Sequence, residues 1–398
     1  MKRTVTREEL ERPVVPYEEG LRTILAAFEP LPPAPAPLAR ACGLVLAEPV
    51  VAAIDVPGFA SSAMDGYAVR SGDTPGTLRV VDDVPAGTEP RARVEPGTAA
   101  RIMTGGPIPA GADAVVPWED TVAGAGAVEV VVGARSGHHV RPRGEDVRAG
   151  STVIDAGTQL RPVHLGVCAS LGLREVPVHP RPRVAILSSG EEVIEAGRPL
   201  AGAQVYDANR TLLAAMCEAA GATVVAADLI GDDPGALRDW LTTQAARADA
   251  IVTTGGASVG EHDWMRAVLE EHGALELWRV AIKPGKPVML GRIGRTPVLG
   301  LPGNPGSAFT GTHVFVQPAI RIMSGRSPEP ASVRARLTAP VANRSRTLFC
   351  RVRLDGDRAT PMPAQSSVVL SNLIDADGYA IVPPGGLDAG AEVTVELL

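Results

Sequence analysis

The chain has 398 residues, a formal net charge of −7, 45% apolar residues and only 3% aromatic residues. This length favours two to four domains, and the apolar fraction is enough to fill their cores, which excludes a disordered chain. The negative charge argues against general nucleic-acid binding, which needs a basic face, but it is compatible with a local pocket for anions.

The distribution of charges, apolar runs and cysteines predicts a cytoplasmic protein. Residues 1–19 are charged and contain no apolar run, and no stretch of about 18 apolar residues occurs, so neither a secretory signal nor a membrane span is expected. Cys42, Cys168, Cys217 and Cys350 are far apart in sequence and form no C-x-x-C pair. Disulfides and a zinc knuckle are therefore not expected.

The first region, residues 1–180, is predicted to carry an inserted β-domain at about residues 60–140. Helical spacing covers 17–28 and 163–171. Between these helices, short β-like runs are separated by glycine and proline, a pattern typical of a small β-domain. The runs are 78–81, 98–102, 114–116 and 128–132.

The middle region, residues 181–326, alternates strands with helices at short intervals. This alternation predicts a doubly wound, mostly parallel sheet with helices on both faces. Asn209 and Asp233 are the predicted N-caps of two of the helices, with Pro234 at a first helical position. The predicted strands are 184–187, 223–230, 250–253, 287–290 and 297–299, and the predicted helices are 209–220, 234–248, 264–272 and 304–325.

The last region, residues 327–398, has alternating apolar and polar residues over 333–337, 347–354 and 393–397, with turn residues between these runs. This pattern predicts a compact β-domain. The expected fold class is therefore a multidomain α/β protein with a doubly wound central domain and two β-domains.

Three glycine-rich loops follow predicted strands of the middle region: loop one (188–192), loop two (253–260) and loop three (300–305). Ligands of parallel sheets bind beyond the carboxyl ends of the strands, and glycines there let backbone N–H groups approach an anion. A purely structural turn is the alternative for any one loop, but three loops together favour a pocket for a phosphorylated ligand. The expected pocket residues are Ser188, Gly190, Gly255, Gly256, Ser258, Pro302, Gly303 and Asn304.

Charged residues surround these loops in the sequence. Lys283 and Lys286 supply cations that suit oxyanions, although lysines in a turn are usually solvated. Clustered carboxylates next to phosphates suit a hard cation such as Mg²⁺. For Asp65, an Asx-turn before Gly66 is an equally good explanation. The carboxylates considered are Asp65, Asp146, Glu192, Asp232 and Asp263.

The order of several motifs resembles the molybdopterin molybdenumtransferase family, which includes the C-terminal enzymatic domain of gephyrin. The resemblance runs from about Tyr17 to the end of the chain. The matching segments are Asp55-Val-Pro-Gly-Phe-Ala-Ser-Ser-Ala-Met-Asp-Gly-Tyr-Ala-Val69, Arg101-Ile-Met-Thr-Gly-Gly-Pro-Ile-Pro109, Gly111-Ala-Asp-Ala-Val-Val116, Arg143-Gly-Glu-Asp146, Tyr206-Asp-Ala-Asn-Arg210, Gly255-Gly-Ala-Ser-Val-Gly260, Lys283-Pro-Gly-Lys-Pro287 and Gly300-Leu-Pro-Gly-Asn-Pro305.

The resemblance implies an elongated N-terminal part with an inserted β-domain, a doubly wound cofactor-binding domain, a C-terminal β-domain and an extended homodimer. Family members take adenylylated molybdopterin, molybdate and a divalent metal, release AMP, and leave molybdenum on the dithiolene sulfurs. The resemblance also implies contact with the preceding adenylyltransferase and with molybdoenzymes that accept the product. No nucleic-acid or membrane partner is expected.

The resemblance assigns roles to particular residues of this chain. The pterin-phosphate and nucleotide pocket would include Glu192, Asp232, Asp263 and Lys283, and Lys286 would help to stabilise charge. The N-terminal part, of the partner subunit, would add Asp65, Thr104, Arg141 and Asp146. Arg351 and Ser367 would help to bind molybdate. The expected catalytic residues are Asp65, Asp146, Glu192, Asp263 and Lys283, and the expected Mg²⁺ ligands are drawn from Asp65, Glu192, Asp232 and Asp263.

Two other functions are compatible with parts of the sequence. One is an adenylyltransferase-like enzyme on the same α/β domain, although such enzymes are usually much shorter and lack the segment Ser62-Ala-Met-Asp-Gly-Tyr67. The other is a non-catalytic binding scaffold, because a fold alone does not prove an activity. The full-length resemblance favours molybdenum insertion over both.

Overall fold

The computed structural model describes residues 14–256 and 264–398. These residues divide into two compact units, one formed by Pro35–Val178 and the other by the residues up to Ala34 together with His179–Leu398. We call them the insertion unit and the α/β unit. Within the described ranges, no helix has the length and apolar character needed to cross a membrane.

The insertion unit contains a six-stranded sheet whose two faces are both covered. Tyr67 and Val69 pack into one core, and Ala68 between them packs into the other, as the two-residue period of a strand requires. This sheet is the β-domain expected from the sequence. In spatial order its strands are Ala114–Pro117, Gly66–Val69, Thr98–Ile102, Gly76–Val84, Ala127–Val130 and Thr121–Ala123.

The rest of the insertion unit is built from short elements around a third core, which includes Leu46, Ile154 and Leu160. The helix Pro162–Ser170 begins with a proline, whose fixed φ suits a first helical position. The other elements are the helix Leu38–Ala41, the sheet of Ala34–Pro37, Glu175–His179 and Val45–Leu46, and the ladders that pair Ser61–Ser62 with Val140–Arg141 and Val50–Val51 with Thr152–Ile154.

The α/β unit is organised around a mixed six-stranded sheet. Its strands, in spatial order, are Thr223–Ile230, Arg183–Ser189, Ala250–Thr254, Thr296–Leu301, Met289–Ile293 and Ala274–Trp278. The sheet is mostly parallel, as expected from the sequence, and the first four strands run parallel to one another. Met289–Ile293 runs antiparallel to both of its neighbours. The reason is that a two-residue turn between Met289–Ile293 and Thr296–Leu301 can join only antiparallel strands.

Helices cover both faces of this sheet, as predicted for a doubly wound domain. The helix Asn209–Ala219 packs through Leu213 against a core that contains Ile186 of the sheet. The helices Pro234–Ala245 and Trp264–His272 pack on the opposite face, in a core that contains Leu187. The helix Tyr17–Leu25, assigned from the sequence to the N-terminal region, contributes Ile24 to the first of these cores.

The last helical segment of the central domain is interrupted rather than uniform. It consists of Pro305–Gly311, a π-helical turn over Thr312–Val316, and Gln317–Met323. The single helix predicted over 304–325 therefore needs this correction. Neither the apolar pattern nor the capping residues predict the π-turn. All of Thr312–Val316 is buried, so its burial pattern is that of any buried helical segment.

One of the two predicted N-caps is confirmed and one is wrong. Asp233 accepts hydrogen bonds from the N–H groups of Gly235 and Ala236, as an N-cap does. Asn209 is instead the first residue of its helix, and its side chain bonds to groups outside the helix. A neighbouring carboxylate, Asp207, accepts the N–H of Arg210 in its place.

The C-terminal residues form a β-barrel-like domain. The strand Thr347–Asp355 pairs with Arg358–Pro361 on one side and with Gly378–Val382 on the other, which closes the sheet and removes its free edges. The remaining strands are Ser332–Leu337 and Glu392–Leu397, and the two-residue strand Ile282–Lys283 pairs with Thr347–Asp355.

Candidate functional site

A cavity of about 790 Å³ opens at the carboxyl ends of the parallel strands of the α/β unit. Loops one, two and three all contribute to its wall, as their sequence positions predicted. The predicted residues that line it are Ser188, Gly190, Glu192, Asp232, Gly255, Gly256, Pro302, Gly303 and Asn304. The cavity wall also includes Tyr206, Asp207, Asn209, Thr254 and Val368, which sequence reasoning did not assign to the pocket.

The three loops approach one another at Gly255. Its φ is +87°, and a Cβ there would lie 2.2 Å from the carbonyl oxygen of Ser189 in loop one. Glycine is therefore required by backbone packing at this point. Gly303 of loop three is less constrained, since its Cβ would lie at an ordinary 3.6 Å from the Gly255 Cα. The close approach exposes backbone from three loops to one cavity.

Two buried polar side chains connect these loops. Asp207 accepts a hydrogen bond from the Ser188 hydroxyl of loop one at 3.1 Å. Asn209 donates from Nδ2 to the Thr254 hydroxyl at 3.0 Å and to the Gly303 carbonyl at 2.7 Å. The only sequence signal for them was the resemblance of Tyr206-Asp-Ala-Asn-Arg210 to a family segment.

The acidic residues of the cavity differ in their surroundings. Glu192 is exposed, Asp232 is half-buried, and both line the cavity. The Asp207 side chain is 1% exposed and lies 3.2 Å from the Nε atom of Arg210, which offsets its charge. The same guanidinium lies 3.3 Å from Glu195 of the segment that follows loop one.

The acidic groups of the cavity suit a metal held partly by substrate. Across the described ranges, no group of three or more His, Cys, Asp or Glu side chains is arranged to hold an ion. Mg²⁺ is commonly bound through one or two carboxylates together with substrate phosphates. Glu192 and Asp232, which both line the cavity, would supply such carboxylates, whereas a cage made of protein ligands alone is not what the described residues form.

The two predicted lysines lie outside the cavity lining. Lys283 is exposed on the strand Ile282–Lys283. Lys286 is half-buried, and its burial, followed by the charges of Arg279 and Arg346, holds its pKa below the usual value of a lysine. The surroundings of Lys286 are therefore electropositive, which favours an anionic ligand.

Arg351 is buried beneath the segment that carries Ser367, with 1% of its surface exposed. Its Nη1 atom donates to Asn372 Oδ1 at 2.8 Å and to the Ala364 carbonyl at 3.4 Å. Ser367 accepts a hydrogen bond from Asn304 of loop three at 3.2 Å. Arg351 thus supports a segment that reaches loop three, and the structure does not place it in the cavity wall.

A second polar group, the Asp65 cluster, is formed by Asp65 and Thr104 in the insertion unit. Asp65 Oδ1 accepts the backbone N–H and the hydroxyl of Thr104 at 2.7 and 2.8 Å. These bonds hold the pKa of Asp65 below its usual value. The carboxylate is bonded to a distant loop, so an Asx-turn before Gly66 does not explain it.

A short ladder connects Arg141 with the segment that precedes Asp65. Arg141 is paired with Ser61 in the two-residue ladder that precedes Asp65. The N–H of Gly105, next to Thr104, donates to the Ser62 carbonyl of that ladder. Asp146 is exposed nearby in sequence, and its N–H donates to the Val56 carbonyl. The predicted residues Ser258 and Asp263 lie outside the described residues.

The fold and cavity define a multidomain protein whose doubly wound domain has a cavity at the carboxyl ends of its strands. Comparison with known families agrees. Residues 15–172 match the MoeA N-terminal region (domain I and II), residues 185–322 a probable molybdopterin binding domain, and residues 334–398 the MoeA C-terminal region (domain IV).

Individual relatives extend this match over almost the whole chain. Molybdopterin molybdenumtransferase 2 of Mycobacterium tuberculosis is 38% identical, covering 96% of this chain and 98% of its own. The Haemophilus influenzae molybdopterin molybdenumtransferase is 38% identical over 73% of this chain and 72% of its own. The molybdopterin biosynthesis MoeA protein of Pyrococcus horikosii superposes with a TM-score of 0.86 at 33% identity, covering 97% and 99% of the two chains. The chain belongs to the molybdopterin molybdenumtransferase family of molybdenum cofactor biosynthesis.

Proposed function

We propose that this chain inserts molybdate into adenylylated molybdopterin and releases AMP. The observation that carries the proposal is the cavity of about 790 Å³ formed by three glycine-rich loops at one edge of the sheet. A cavity of this size suits a ligand that joins a nucleotide to a fused heterocycle. The backbone N–H groups near Gly255, Gly256 and Gly303 would bind its phosphate oxygens.

The carboxylates of the cavity would serve the phosphoanhydride. Glu192 and Asp232 would hold Mg²⁺ together with substrate phosphates, and Asp65 and Asp263 remain further proposed ligands. When bound, the ion would offset the negative charge that accumulates as AMP leaves.

The C-terminal segment would serve molybdate, whereas the two lysines would serve the phosphates. Lys283 and Lys286 would offset phosphate charge as point charges, and the electropositive surroundings of Lys286 support this role. Ser367 would donate a hydroxyl, and Arg351 would support its segment through Asn372 and Ala364. This assignment separates the group that binds molybdate from the group that handles the nucleotide.

We also propose a homodimer in which the Asp65 cluster acts on substrate bound by the partner subunit. The cluster has an exposed carboxylate, and Arg141 and Asp146 of the same unit are exposed as well. An exposed carboxylate held by two hydrogen bonds is prepared for a ligand rather than for core packing. Light scattering that gives a monomer at micromolar concentration would contradict the dimer.

Subunit mixing tests the shared site directly. Asp65→Asn and Gly303→Val chains would each be inactive, and co-refolding them in equal amounts produces mixed dimers. If the two groups act across subunits, one site of each mixed dimer is intact, so about a quarter of the wild-type activity returns. If verified mixed dimers recover no activity, Asp65 and the cavity that contains Gly303 act on substrate within one subunit.

The decisive test of the proposed function is single-turnover release of AMP from adenylylated molybdopterin, with and without molybdate. Molybdate-dependent AMP release with molybdenum on the product supports insertion. Formation of adenylylated molybdopterin from ATP, without molybdate-dependent release, would assign the chain to adenylyl transfer. Binding without either reaction would leave a scaffold.

A further inference from the structure

The segment 206–210 reaches all three loops of the cavity through alternate side chains. Asp207 bonds to Ser188 of loop one, and Asn209 bonds to Thr254 of loop two and to Gly303 of loop three. Both side chains are buried, with Asp207 7% and Asn209 8% exposed. A single short segment therefore holds the relative positions of three loops that are far apart in sequence.

The hydrogen bonds of Asn209 have a fixed direction. The Gly303 carbonyl can only accept, so the amide must present its NH₂ group to loop three. The Thr254 hydroxyl donates to the Pro302 carbonyl at 3.1 Å, so it accepts from Asn209. Asn209 therefore reaches loop three in two ways. It donates directly to Gly303, and it donates to Thr254 of loop two, which in turn donates to Pro302 of loop three.

The oxygen atom of the Asn209 amide has different surroundings from the NH₂ group. Within the described ranges, the buried Oδ1 atom of Asn209 accepts no hydrogen bond. A buried oxygen without a partner destabilises a fold, and such groups are few in native proteins. The unpaired oxygen adds no stability, so the contribution of this side chain lies in the two bonds that its NH₂ group makes to loops two and three.

We infer that Asn209 is a positioning residue that sets the width of the phosphate-binding cleft between loops two and three. The inference rests on the proposed function, because it takes the nucleotide phosphate as the group bound there. The hydrogen bonds of the Asn209 amide go to loops two and three. Its effect should therefore reach the ligand through the positions of the Gly255 and Gly303 backbones.

Asn209→Asp is the sharpest variant, because it keeps the shape of the side chain and turns the NH₂ group into an acceptor. A carboxylate facing the Gly303 carbonyl repels loop three and leaves Thr254 to reorient. We expect the affinity for AMP, measured by calorimetry, to fall about ten- to a hundredfold, the size usual when a group that orients ligand-binding residues is lost. Lowering the pH should restore part of the affinity, because a protonated carboxyl can donate to Gly303 again.

Asn343 supplies a matched control. It is 6% exposed, and its Nδ2 donates to the carbonyls of Arg346, Val382 and Pro383 in the C-terminal domain. Asn343→Asp should lower the melting temperature yet leave the affinity for AMP at the wild-type value. Asn209→Ala should lose affinity without any recovery at low pH, since it has no group to protonate.

The affinities of the Asn209 and Asn343 variants for AMP decide whether the inference holds. Wild-type affinity in folded Asn209→Asp, or equal loss of affinity in Asn343→Asp, would overturn the inference. If Asn209→Asp does not fold, Thr254→Val removes one of the two bonds without changing the shape, and unchanged AMP affinity in that variant would overturn it as well. A wild-type chain that binds no AMP would overturn the nucleotide site and the inference together.

Discussion

The cavity and the Asp65 cluster hold their polar groups in opposite ways. In the cavity, Asp207 and Asn209 are buried and bonded to loops on several sides. In the Asp65 cluster, the carboxylate is exposed and receives its two bonds from Thr104. The first arrangement determines shape, and the second leaves a charged group in contact with solvent.

This difference decides what a mutation can reveal. Buried hydrogen bonds are expensive to break, so a variant in the cavity wall changes stability and ligand binding together. An exposed carboxylate adds little to stability, so its replacement reports on function. Cavity variants therefore need a stability control, while variants of the Asp65 cluster can be read directly from the rate.

Asp65→Asn should have the largest effect on activity. The amide oxygen still accepts the two bonds from Thr104, so the melting temperature should stay close to that of the wild type. Single-turnover AMP release should slow by roughly 10²–10³, the usual effect of losing an essential electrostatic group. Asp82→Asn is the control, because Asp82 accepts backbone N–H groups of Arg91 and Ala92 in the same unit. A near wild-type rate in saturating Mg²⁺ would make Asp65 a structural residue.

Gly255→Ala should have the next largest effect, this time on stability. The added Cβ would lie 2.2 Å from the Ser189 carbonyl oxygen, and the φ of +87° disfavours alanine as well. We expect a loss of about 2–4 kcal/mol in the free energy of unfolding, measured in urea.

Gly150→Ala is the matched control for Gly255→Ala. Its φ is +85° and a Cβ would meet no atom within 4 Å, so only the cost of the left-handed backbone, about 1–2 kcal/mol, remains. Equal losses in the two variants would show that the approach of loops one and two does not constrain Gly255.

Arg351→Lys should have a smaller, more selective effect. A lysine cannot reproduce the bonds of the guanidinium to Asn372 and Ala364, so the segment that carries Ser367 should loosen. We expect the KM for molybdate to rise about tenfold while AMP affinity changes little. Arg353→Lys is the control, because Arg353 lies on the same strand and pairs with the exposed Asp375 at 3.0 Å. A change confined to AMP affinity would contradict the proposed division of roles.

Thr104→Val should have the smallest effect, a displacement of the pH profile. Thr104 lowers the pKa of Asp65 through its N–H and its hydroxyl, so the native carboxylate stays ionised to a lower pH than an ordinary Asp. Its stabilising contribution is present above the unfolded pKa and is lost as the pH falls through the folded pKa. Removing the hydroxyl should raise that pKa and move the acid limb of the rate profile to higher pH. The limb should not move when Thr104→Val is combined with Asp65→Asn.

Local sequence signals were sufficient for most of the α/β unit. The predicted strand 223–230 and helix 264–272 coincide with Thr223–Ile230 and Trp264–His272. Asp233 caps its helix as predicted, because its carboxylate needs only the N–H groups two and three residues further on. The antiparallel direction of Met289–Ile293 follows from its short turn to Thr296–Leu301 and was not assigned from the strand pattern alone. The π-turn was missed, because helical register depends on packing with distant residues.

The candidate site also contains features that the sequence predicts and features that it does not. Glycine-rich runs that follow predicted strands are visible in the sequence, so the three loops and the part of the cavity lining that they form could be predicted from it. The positions of Lys283, Lys286 and Arg351 relative to the cavity depend on how the barrel strands pair, as Ile282–Lys283 does with Thr347–Asp355. A lysine or arginine that is close to a glycine loop in sequence can still place its charged group away from that loop, because its side chain is long.

Asn209 shows why the last step required the tertiary structure. An asparagine at the start of a helix can bond to its own backbone or to any acceptor that comes within reach, and sequence alone favours the first. In the folded protein Asp207 accepts the N–H of Arg210, while Thr254 and Gly303 approach the Asn209 amide from loops two and three. The residue types and their order along the chain determine that a polar group stands at this helix start. Only the folding of loops two and three against it decides which atoms it binds, because the free energy of a buried amide is set by the partners that surround it.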